Sequence, residues 1–418
     1  MNIWTISLFD PTPYDNVGNL RFIQIANAAI KGGHQVTHFT STFRHTSKKQ
    51  RFNKDTTLPI EPGYSVEYIR SKGYKKNISI KRIFAHRDFA QQLIDSLAGR
   101  HKPDIIFISM PPIVSAARVV EWASENDIPI VVDIIDPWPD SFIKDVPNAL
   151  KPLSRVFIQP FYNRVRGVFR NADAVTSISN GYLDWAKSQC KTIRQTKCFY
   201  PAQDLEAIQS KIEDFKKTES RNEEVLRIIY VGSLGSSYDI PAIVKASEIM
   251  DKKHPGQTEF IVAGVGPQSE IVEEYQKKLG NLQYLGWISD EELIRQYFLS
   301  DLGLIQHKNN FTQTVTYKLF SYLSAGLPIL NSLQSEMADI ISENNVGLNN
   351  MNGDYKKLVK NIEYFLYNRD QLQLYKQNAI ALTKEKGDSN SVYGEMIAFF
   401  EEIAGTRVAE LQKELEKL

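Results

Sequence analysis

The sequence has few of the features that define several large protein classes. Only two of its 418 residues are cysteine, Cys190 and Cys198, which is too few for a disulfide framework or a cysteine-based metal site. No apolar run approaches the roughly 18–20 residues that a membrane-spanning helix needs. The N-terminal residues lack a basic segment followed by an apolar one, so we expect no signal peptide. These absences favour a globular protein of a reducing compartment, and we expect it in the cytoplasm.

Motifs for other common ligand classes are also missing. The loop after the first predicted strand, residues 10–19, lacks the Gly-x-Gly-x-x-Gly pattern of dinucleotide-binding enzymes, which argues against an NAD enzyme. The sequence also lacks zinc-ligand spacings, internal repeats and low-complexity segments. We therefore expect no metal ion, no cofactor and no nucleic-acid partner.

The chain is long enough for two domains, and its charge is unevenly divided between its halves. Its 418 residues exceed one ordinary core, and 42% hydrophobic with 24% charged residues is typical of globular proteins. Residues 1–200 contain 27 Lys and Arg against 17 Asp and Glu, whereas the remainder contains 23 against 32. The balances of +10 and −9 predict separate partners, with an anionic lipid surface or a phosphate-bearing substrate for the first half.

Short apolar runs alternate with helical patterns along the chain. This alternation predicts an α/β fold made of doubly wound parallel sheets. A junction is predicted near residue 200, because a second alternating set begins after the charged stretch 206–224. We expect one domain over 1–200, a second over 201–388, a helix over 389–404 and a helical tail over 405–418. Predicted strands include Asn2–Phe9, Tyr64–Ile69, Ile105–Ser109, Pro129–Ile134, Val225–Val231 and Leu302–Ile305.

The most informative stretch comprises residues 312–332. Its apolar residues first follow helical spacing, and Leu327–Leu330 is then typical of a buried strand. Thr314 and Thr316 stand at the predicted helix start, where free N–H groups and the helix dipole favour an anion. Lys318 adds a positive charge one turn later. The pattern predicts a phosphate site or, alternatively, a Thr-capped helix with a solvated lysine.

Glycine-rich turns follow several predicted strands of the second half. The loop Gly232–Asp239 can offer backbone N–H groups and hydroxyls to a phosphate. Gly264 and Gly266 form a turn after the next strand, and Gly286-Trp287 follows another. Each turn lies at the carboxyl end of a predicted strand, which is the edge where open α/β sheets bind ligands. The loop Gly232–Asp239 has no Lys or Arg, so a positive charge that stabilises a phosphate there must come from another segment.

The stretch 312–332 resembles the donor-site helix of GT-B glycosyltransferases, above all retaining enzymes of glycosyltransferase family four, in Lys318, Tyr322-Leu323 and Ala325–Pro328. The glycine turns have a similar order, so the resemblance covers nearly the whole chain. It implies two doubly wound Rossmann-like domains that face across a cleft, with a last helix crossing back to the N-terminal domain. It also implies a UDP-sugar donor on the C-terminal domain, bound without a metal ion. The implied donor-binding residues are Ser233, Gly235, Ser236, Ser237, Gly264, Gly266, Trp287, His307, Thr314, Thr316, Lys318 and Ser321.

One pair of positions departs from the resemblance. Many of these enzymes carry a Glu-x7-Glu pair, and Gln313 and Ser321 occupy the matching positions here. The second Glu usually holds the ribose of the nucleotide. Ser321 offers one uncharged hydroxyl in its place, so the resemblance does not define this donor contact.

A second set of motifs lies in the N-terminal half. Asp136 follows a predicted buried strand in a loop that two prolines stiffen, so it is either aimed at a ligand or part of a rigid turn. The segment Asp136–Ser141 resembles the Asp-x-Trp-Pro-x-Ser signature of a capsule and O-antigen subgroup of family four. The predicted turns at Ser41–His45 and Gly73–Asn77 resemble a pair of turns found in enzymes of the same subgroup. The resemblance implies that Asp136 is catalytic, by orienting or deprotonating the acceptor, and that Gly18, Asn19, Arg21 and Trp138 bind the acceptor.

Two segments suggest contacts beyond the substrates. Residues 144–170 mix basic and apolar side chains, which suits either an anionic membrane surface or a helix packed on the sheet. Pro152 and Pro160 are expected to interrupt this segment, so that it is not one long helix. The tail 405–418 carries one apolar stripe, which can mediate self-association or dock on the protein.

The resemblance implies a retaining, metal-independent glycosyltransferase of the hexosyl or N-acetylhexosaminyl type. Its acceptor would be a saccharide or a polyprenyl-linked saccharide, in bacterial surface polysaccharide or glycoconjugate synthesis. The basic first half adds weak association with the inner face of the cell membrane. Two alternatives stay open: a non-catalytic GT-B subunit that binds nucleotide-sugar for a partner enzyme, and a nucleotide-sugar 2-epimerase.

Overall fold

The computed structural model describes residues 1–15, 20–77, 79–143, 146, 151–308 and 313–415. Contacts divide the chain into two units, Met1–Tyr200 with Asn390–Leu418, and Pro201–Ser389. Each unit is built on one largely parallel sheet with helices packed against it. The prediction of an α/β chain with two Rossmann-like sheets is therefore confirmed.

The first unit contains an eight-stranded sheet in which one edge strand is antiparallel to its neighbour. Its central strands have nearly continuous apolar sequences, as is typical of parallel strands covered on both faces. The strands of this unit are β1 (Asn2–Ile6), β2 (Gln35–Ser41), β3 (Phe43–Arg44), β4 (Lys49–Gln50), β5 (Thr56–Glu61), β6 (Tyr64–Ile69), β7 (Ile105–Met110), β8 (Ile130–Ile134), β9 (Ala174–Ser177) and β10 (Thr196–Cys198). The sheet order is β10-β9-β8-β7-β1-β2-β6-β5, and β3 pairs with β4 in a separate hairpin. The order reverses between β1 and β7, where sheets of this kind bind ligands.

Helices of the first unit connect these strands and cover the sheet. They are α1 (Arg21–Lys31), α2 (Ile80–Leu97), α3 (Ile113–Glu125), α4 (Asp140–Ile143), α5 (Lys151–Asn171) and α6 (Asn180–Gln189). The prediction that prolines interrupt residues 144–170 is wrong from residue 151 onward, because α5 continues through Pro160. Val165 and Val168 on the following turns are buried against the sheet, and this burial opposes the cost of about 3 kcal/mol for an interior proline. Val156 and Phe157, nearer its start, are 69% and 72% exposed.

The second unit contains a six-stranded, entirely parallel sheet. Its strands are β11 (Leu226–Val231), β12 (Thr258–Ala263), β13 (Leu282–Gly286), β14 (Leu302–Ile305), β15 (Ile329–Asn331) and β16 (Gly347–Asn349). Their order is β13-β12-β11-β14-β15-β16, so the order reverses between β11 and β14. The helices are α7 (Leu205–Thr218), α8 (Ile240–Lys253), α9 (Ser269–Gln276), α10 (Asp290–Leu299), α11 (Lys318–Leu323), α12 (Glu336–Glu343), α13 (Tyr355–Tyr367) and α14 (Arg369–Lys386).

The last helix, α15 (Ser389–Leu415), joins the predicted segments 389–404 and 405–418 into one element up to residue 415. It packs in the first unit, where the Phe400 and Phe107 ring centres lie 5.0 Å apart. Farther along, Arg407 Nη2 lies 3.3 Å from Asp127 Oδ1. Val408, on the predicted apolar stripe, is exposed.

Two structural features are absent from the part of the chain that the model describes. No helix there combines the length and the hydrophobicity that crossing a bilayer requires. The same residues contain no group of three or more His, Cys, Asp or Glu side chains arranged to hold a metal ion.

Candidate functional site

Two loops meet at the reversal point of the second sheet. The loop after β11 contains Ser237 and Tyr238, and the segment after β14 contains His307 and Lys308. The Lys308 N–H donates to the carbonyl oxygen of Ser237 over 2.9 Å, and Tyr238 forms an isolated β-bridge with His307. These contacts lie at the position in the fold where doubly wound sheets bind ligands.

Glycine is required where the neighbouring turns touch. Gly264 has a φ of +133°, and a Cβ on it would lie 1.9 Å from the carbonyl oxygen of Gly232. Its N–H donates to the carbonyl oxygen of Gly286 over 2.6 Å. A Cβ on Gly266 would likewise lie 2.7 Å from the Leu234 carbonyl oxygen. Both glycines therefore allow backbone-to-backbone packing that holds the Gly232–Asp239 loop in place.

Lys318 extends its ammonium group toward the rings of Tyr230 and Tyr238, and these two rings are called the aromatic box below. Its Nζ lies 4.0 Å from the ring centre of Tyr230 and 4.3 Å from that of Tyr238. Gly232 leaves the space for it, since a Cβ there would lie 2.8 Å from Nζ. The ammonium is buried and has no hydrogen-bond partner among the described residues. Two ring faces stabilise a cation but do not neutralise it, so within the described residues the ammonium has no counter-charge.

Burial lowers the pKa values of Lys318 and of the neighbouring His307. Burial lowers the pKa of Lys318 to about 7, because the charged form has lost its hydration. Burial, with a smaller contribution from Lys318, lowers the pKa of His307 to about 3, so this imidazole is neutral. An anion beside Lys318 would restore the charged form of the amine. The box is therefore a candidate anion site.

The structure corrects the helix-start argument in the sequence analysis. Helix α11 has only six residues and begins at Lys318 itself, which is therefore not one turn inside it. Thr316 is buried, and its hydroxyl points at Met337 Sδ, 3.9 Å away, so this hydroxyl already has a partner within the unit. Thr314 is half-buried, and its carbonyl oxygen accepts from the Met337 N–H and the Ser335 hydroxyl. At this position the Lys318 ammonium is the group that can bind an anion.

The other predicted donor-site residues differ in their surroundings. Ser233 and Ser236 are exposed on the loop after β11, and Gly235 and Ser237 are half-buried there. Trp287 is 76% exposed at the end of β13. Ser321 Oγ lies 2.9 Å from the hydroxyl of the buried Tyr297. The Ser321 hydroxyl thus already has a partner within the unit.

In the first unit, Asp136 accepts hydrogen bonds from two other residues of its own motif. Asp136 Oδ2 accepts from Trp138 Nε1 over 2.8 Å, and Oδ1 accepts from Ser141 Oγ over 2.5 Å. The Asp, Trp and Ser of the signature therefore form one hydrogen-bonded loop at the carboxyl end of β8. Trp138 also packs against the core of the unit. Asp136 as a residue is half-buried, and both of its carboxylate oxygens accept hydrogen bonds within the loop.

The prediction that Arg21 binds an acceptor is wrong. The Arg21 and Asp133 side chains are fully buried, and Arg21 Nε lies 2.9 Å from Asp133 Oδ2. Arg21 Nη1 also donates to the Phe199 carbonyl oxygen over 2.9 Å. This ion pair ties α1 to the sheet, because breaking it would leave a buried charge without compensation. Gly18 and Asn19, the other predicted acceptor residues of this loop, lie outside the described residues.

Two residues that were not predicted from the sequence, Tyr230 and Asp10, also lie at these edges. Tyr230 and Tyr238 form the box around Lys318, although only the fold brings them to it. Asp10 follows β1, accepts from Ser7 Oγ over 2.5 Å, and has a pKa raised by burial. Its position just after a strand was a usable signal, because ligand-binding carboxylates often lie there.

The chain has the fold of GT-B glycosyltransferases. A sucrose-phosphate synthase from Thermosynechococcus elongatus superposes with a TM-score of 0.73 at 13% identity, over 97% of this chain and 99% of that one. The Anabaena protein HepE in complex with UDP-glucose gives 0.65 at 13% identity, over 98% and 100% of the two chains. WaaG, a glycosyltransferase involved in lipopolysaccharide biosynthesis, gives 0.65 at 14% identity, over 96% and 99%.

Sequence comparison adds one match. Residues 242–376 match the family model described as glucosyltransferase 3-like, C-terminal domain. This range includes β12 to β16 and Lys318, and it lies wholly within the second unit. No curated protein matches the chain.

Proposed function

We propose that this chain is a glycosyltransferase that binds a UDP-sugar on its second unit and transfers the sugar to a saccharide or polyprenyl-linked acceptor. The observation that carries the proposal is the buried Lys318 ammonium, which has no hydrogen-bond partner among the described residues. It lies next to Gly232, at the start of a loop rich in N–H and hydroxyl groups. A diphosphate would supply the missing charge and accept hydrogen bonds from that loop.

The proposed chemistry uses these groups on the leaving diphosphate. The bond between the sugar and the diphosphate breaks, the acceptor oxygen bonds to the same sugar carbon, and a diphosphate oxygen takes the acceptor proton. Negative charge grows on the diphosphate, and each preorganised donor is worth about 2.7–4 kcal/mol by analogy with oxyanion-hole donors. Attack from the face of the departing group retains the configuration of the sugar. Asp136 orients the acceptor or assists as a base.

The comparisons support the donor class. One HepE structure is described in complex with UDP and glucose, and another protein of similar fold is described as bound with UDP-2-fluoro glucose. The family model that matches the second unit is named for a glucosyltransferase. We therefore propose UDP as the nucleotide and a hexose, or an N-acetylated hexosamine, as the transferred group.

The acceptor and the location are proposed from the first unit. Helix α2 exposes Ile80, Ile83 and Phe84 beside the exposed Lys75 and Lys81. Apolar side chains among basic ones suit weak, reversible binding to an anionic bilayer, at about 1 kcal/mol for each basic residue near the surface. We propose a cytoplasmic protein that associates with the inner face of the membrane and acts in surface polysaccharide or glycoconjugate synthesis.

A non-catalytic GT-B subunit is the second candidate. The observation that favours it is Ser321, whose hydroxyl is paired with Tyr297 where the resembling enzymes carry a ribose-binding Glu. A chain that has lost this contact can still bind the diphosphate through Lys318 without turning it over.

Incubation of the purified chain with UDP-sugars, with and without a lipid-linked acceptor, separates these functions. Transfer, or UDP release that the acceptor accelerates, supports the glycosyltransferase. UDP binding without turnover across a panel of UDP-hexoses and UDP-N-acetylhexosamines identifies the binding subunit. A sugar epimerised at its second carbon identifies the epimerase. Absence of UDP binding contradicts the proposed donor site itself.

A further inference from the structure

Three segments that lie far apart in the sequence converge in the first unit. The Phe43 ring centre lies 5.0 Å from that of Tyr74, and His45 Nδ1 lies 2.5 Å from the Tyr74 hydroxyl. Gly73 permits this packing, because a Cβ there would lie 2.6 Å from the Phe43 ring. The motif turns Ser41–His45 and Gly73–Asn77 therefore form one aromatic cluster.

The third segment joins this cluster through α2. His86 on α2 has its ring centre 5.9 Å from that of Tyr74 and 6.2 Å from that of Trp138, on which it stacks. Trp138 in turn donates to Asp136. The cluster thus connects both motif turns to the Asp136–Ser141 loop.

Two cations converge on this cluster. The guanidinium carbon of Arg82 lies 4.9 Å from the ring centre of Trp138, 5.5 Å from that of Phe9 and 5.7 Å from that of Tyr74. Lys48 Nζ lies 4.9 Å from the same Tyr74 ring. Lys48 has a φ of +56° in the turn between β3 and β4, a conformation that is uncommon for lysine. The fold therefore places two positive charges on one aromatic ring.

Within the described residues, neither cation has a carboxylate at ion-pair distance. Arg82 Nη1 donates to the Asn77 carbonyl oxygen over 2.8 Å, and its Nε lies 3.4 Å from His86 Nε2. Lys48 Nζ lies 3.2 Å from His45 Nδ1. Burial and the nearby cations lower the pKa of His45 to about 4 and that of His86 to about 3, so both partners are uncharged at neutral pH.

This arrangement costs free energy that an anion would recover. Arg82 is partly buried, and burial lowers its pKa, with partial compensation from Tyr74 and from the Asp136 carboxylate. Asp136 is not within ion-pair distance, and its oxygens already accept from Trp138 and Ser141. Like charges in a partly desolvated site repel each other, whereas a shared anion attracts both. Arginine and lysine together suit a group with several oxygens.

We propose that Arg82 and Lys48 form a subsite for a phosphate or diphosphate group, and that the acceptor of the proposed transfer carries this group. The acceptor role rests on the proposed function, whereas binding of the group does not. The neutral His45 and His86 imidazoles add uncharged hydrogen-bonding groups. Ile83 and Phe84 are exposed on the same turns of α2 as Arg82, which suits a hydrocarbon chain attached to the phosphate.

Calorimetric titration of the full chain with farnesyl diphosphate, below its micellar concentration, tests the subsite. Arg82→Gln and Lys48→Gln each remove one charge, and Arg82→Lys keeps it. Arg87→Gln is the matched control, because Arg87 is exposed on α2 and contacts none of these rings. Lys318→Ala tests whether the diphosphate binds at the second unit instead. Thermal unfolding of each variant checks its fold.

Affinity for farnesyl diphosphate should fall at least about tenfold in Arg82→Gln and in Lys48→Gln, since each loses a charged hydrogen bond. Arg87→Gln and Lys318→Ala should bind as the wild type does, and uncharged farnesol should bind at least about tenfold more weakly. No binding to the wild type, unchanged binding in both charge-removing variants, or loss of binding in Lys318→Ala would overturn the subsite. A UDP titration of the same preparations reports on the proposed function separately.

Discussion

The Lys318 ammonium and the Tyr230 ring face each other at 4.0 Å, at the carboxyl edge of the second sheet. The Tyr230 hydroxyl donates to the Ser233 carbonyl oxygen over 2.7 Å, which fixes the ring at the base of the glycine-rich loop. The ring centre of Tyr238 also lies close to the ammonium, 4.3 Å from Lys318 Nζ. The two rings hold a cation ready for an anion without supplying a counter-charge.

The first prediction concerns pH and follows from the Lys318 pKa of about 7. A bound diphosphate would raise this pKa, so above pH 7 the free protein has lost a proton that the complex keeps. UDP affinity should be constant just below pH 7 and fall above it, by up to about tenfold per pH unit. Calorimetry between pH 7 and 9, in buffers of different ionisation enthalpy, measures this fall and the proton taken up. An affinity that does not change over this range would contradict the prediction.

The second prediction concerns stability without ligand. Lys318→Met should raise the free energy of unfolding at pH 7 by about 1–3 kcal/mol, because it removes a buried donor that has no partner. The wild type should also gain stability from pH 7 toward 10, since its native state releases a proton that the unfolded chain keeps. The variant should lack this contribution. Urea unfolding at two pH values measures both effects, with the exposed Lys356→Met as control. A less stable Lys318→Met protein would show that the amine has a partner.

Much of the fold could be predicted because its signals are local. Tyr64–Ile69 and Leu302–Ile305 are strands with the predicted bounds, since apolar runs between turn residues specify buried strands. Pro160 misled the prediction, because packing of the following turns of α5 outweighs a local helix breaker. The start of α11 was also placed too early, at threonines whose contacts belong to α12.

The candidate sites were less predictable, because their contacts join distant parts of the sequence. Lys318 was selected, but nothing local to it indicates that Tyr230 and Tyr238 surround its ammonium. Arg21 follows a loop that suggested a ligand, yet its partner is Asp133 on β8. Arg82 gave no motif signal at all, since its environment exists only once α2 has packed beside Trp138.

The third prediction concerns Asp136. Asp136→Asn should keep the fold and the affinity for UDP, because the amide oxygen can still accept from Trp138 and because the nucleotide is proposed to bind the other unit. Transfer should fall by about 10²–10⁴-fold if the carboxylate acts as a general base, and less if it only orients the acceptor. Turnover and UDP affinity are measured on one preparation. Near-normal turnover would make Asp136 a structural loop residue, and loss of thermal stability would indicate a folding role.

The fourth prediction concerns the membrane. The full chain should sediment with vesicles that contain anionic lipid and dissociate as salt is raised, because the interaction depends on screened surface charges. Phe84→Ser should weaken this binding, since Phe84 is exposed among basic residues of α2. Met351→Ser, which changes a comparably exposed side chain of the second unit, should not. Equal binding to neutral and anionic vesicles, or none to either, counts against the proposal.

Calorimetric titration with UDP of the wild type, Lys318→Ala and Lys356→Ala tests whether the Lys318 ammonium binds the diphosphate. Lys318 is the buried ammonium proposed to meet the diphosphate, and Lys356 is an exposed lysine of the same unit. We expect UDP to bind the wild type and Lys356→Ala alike, and to bind Lys318→Ala at least about tenfold more weakly, which is the loss expected for one charged hydrogen bond. Wild-type affinity in a folded Lys318→Ala protein would contradict this expectation.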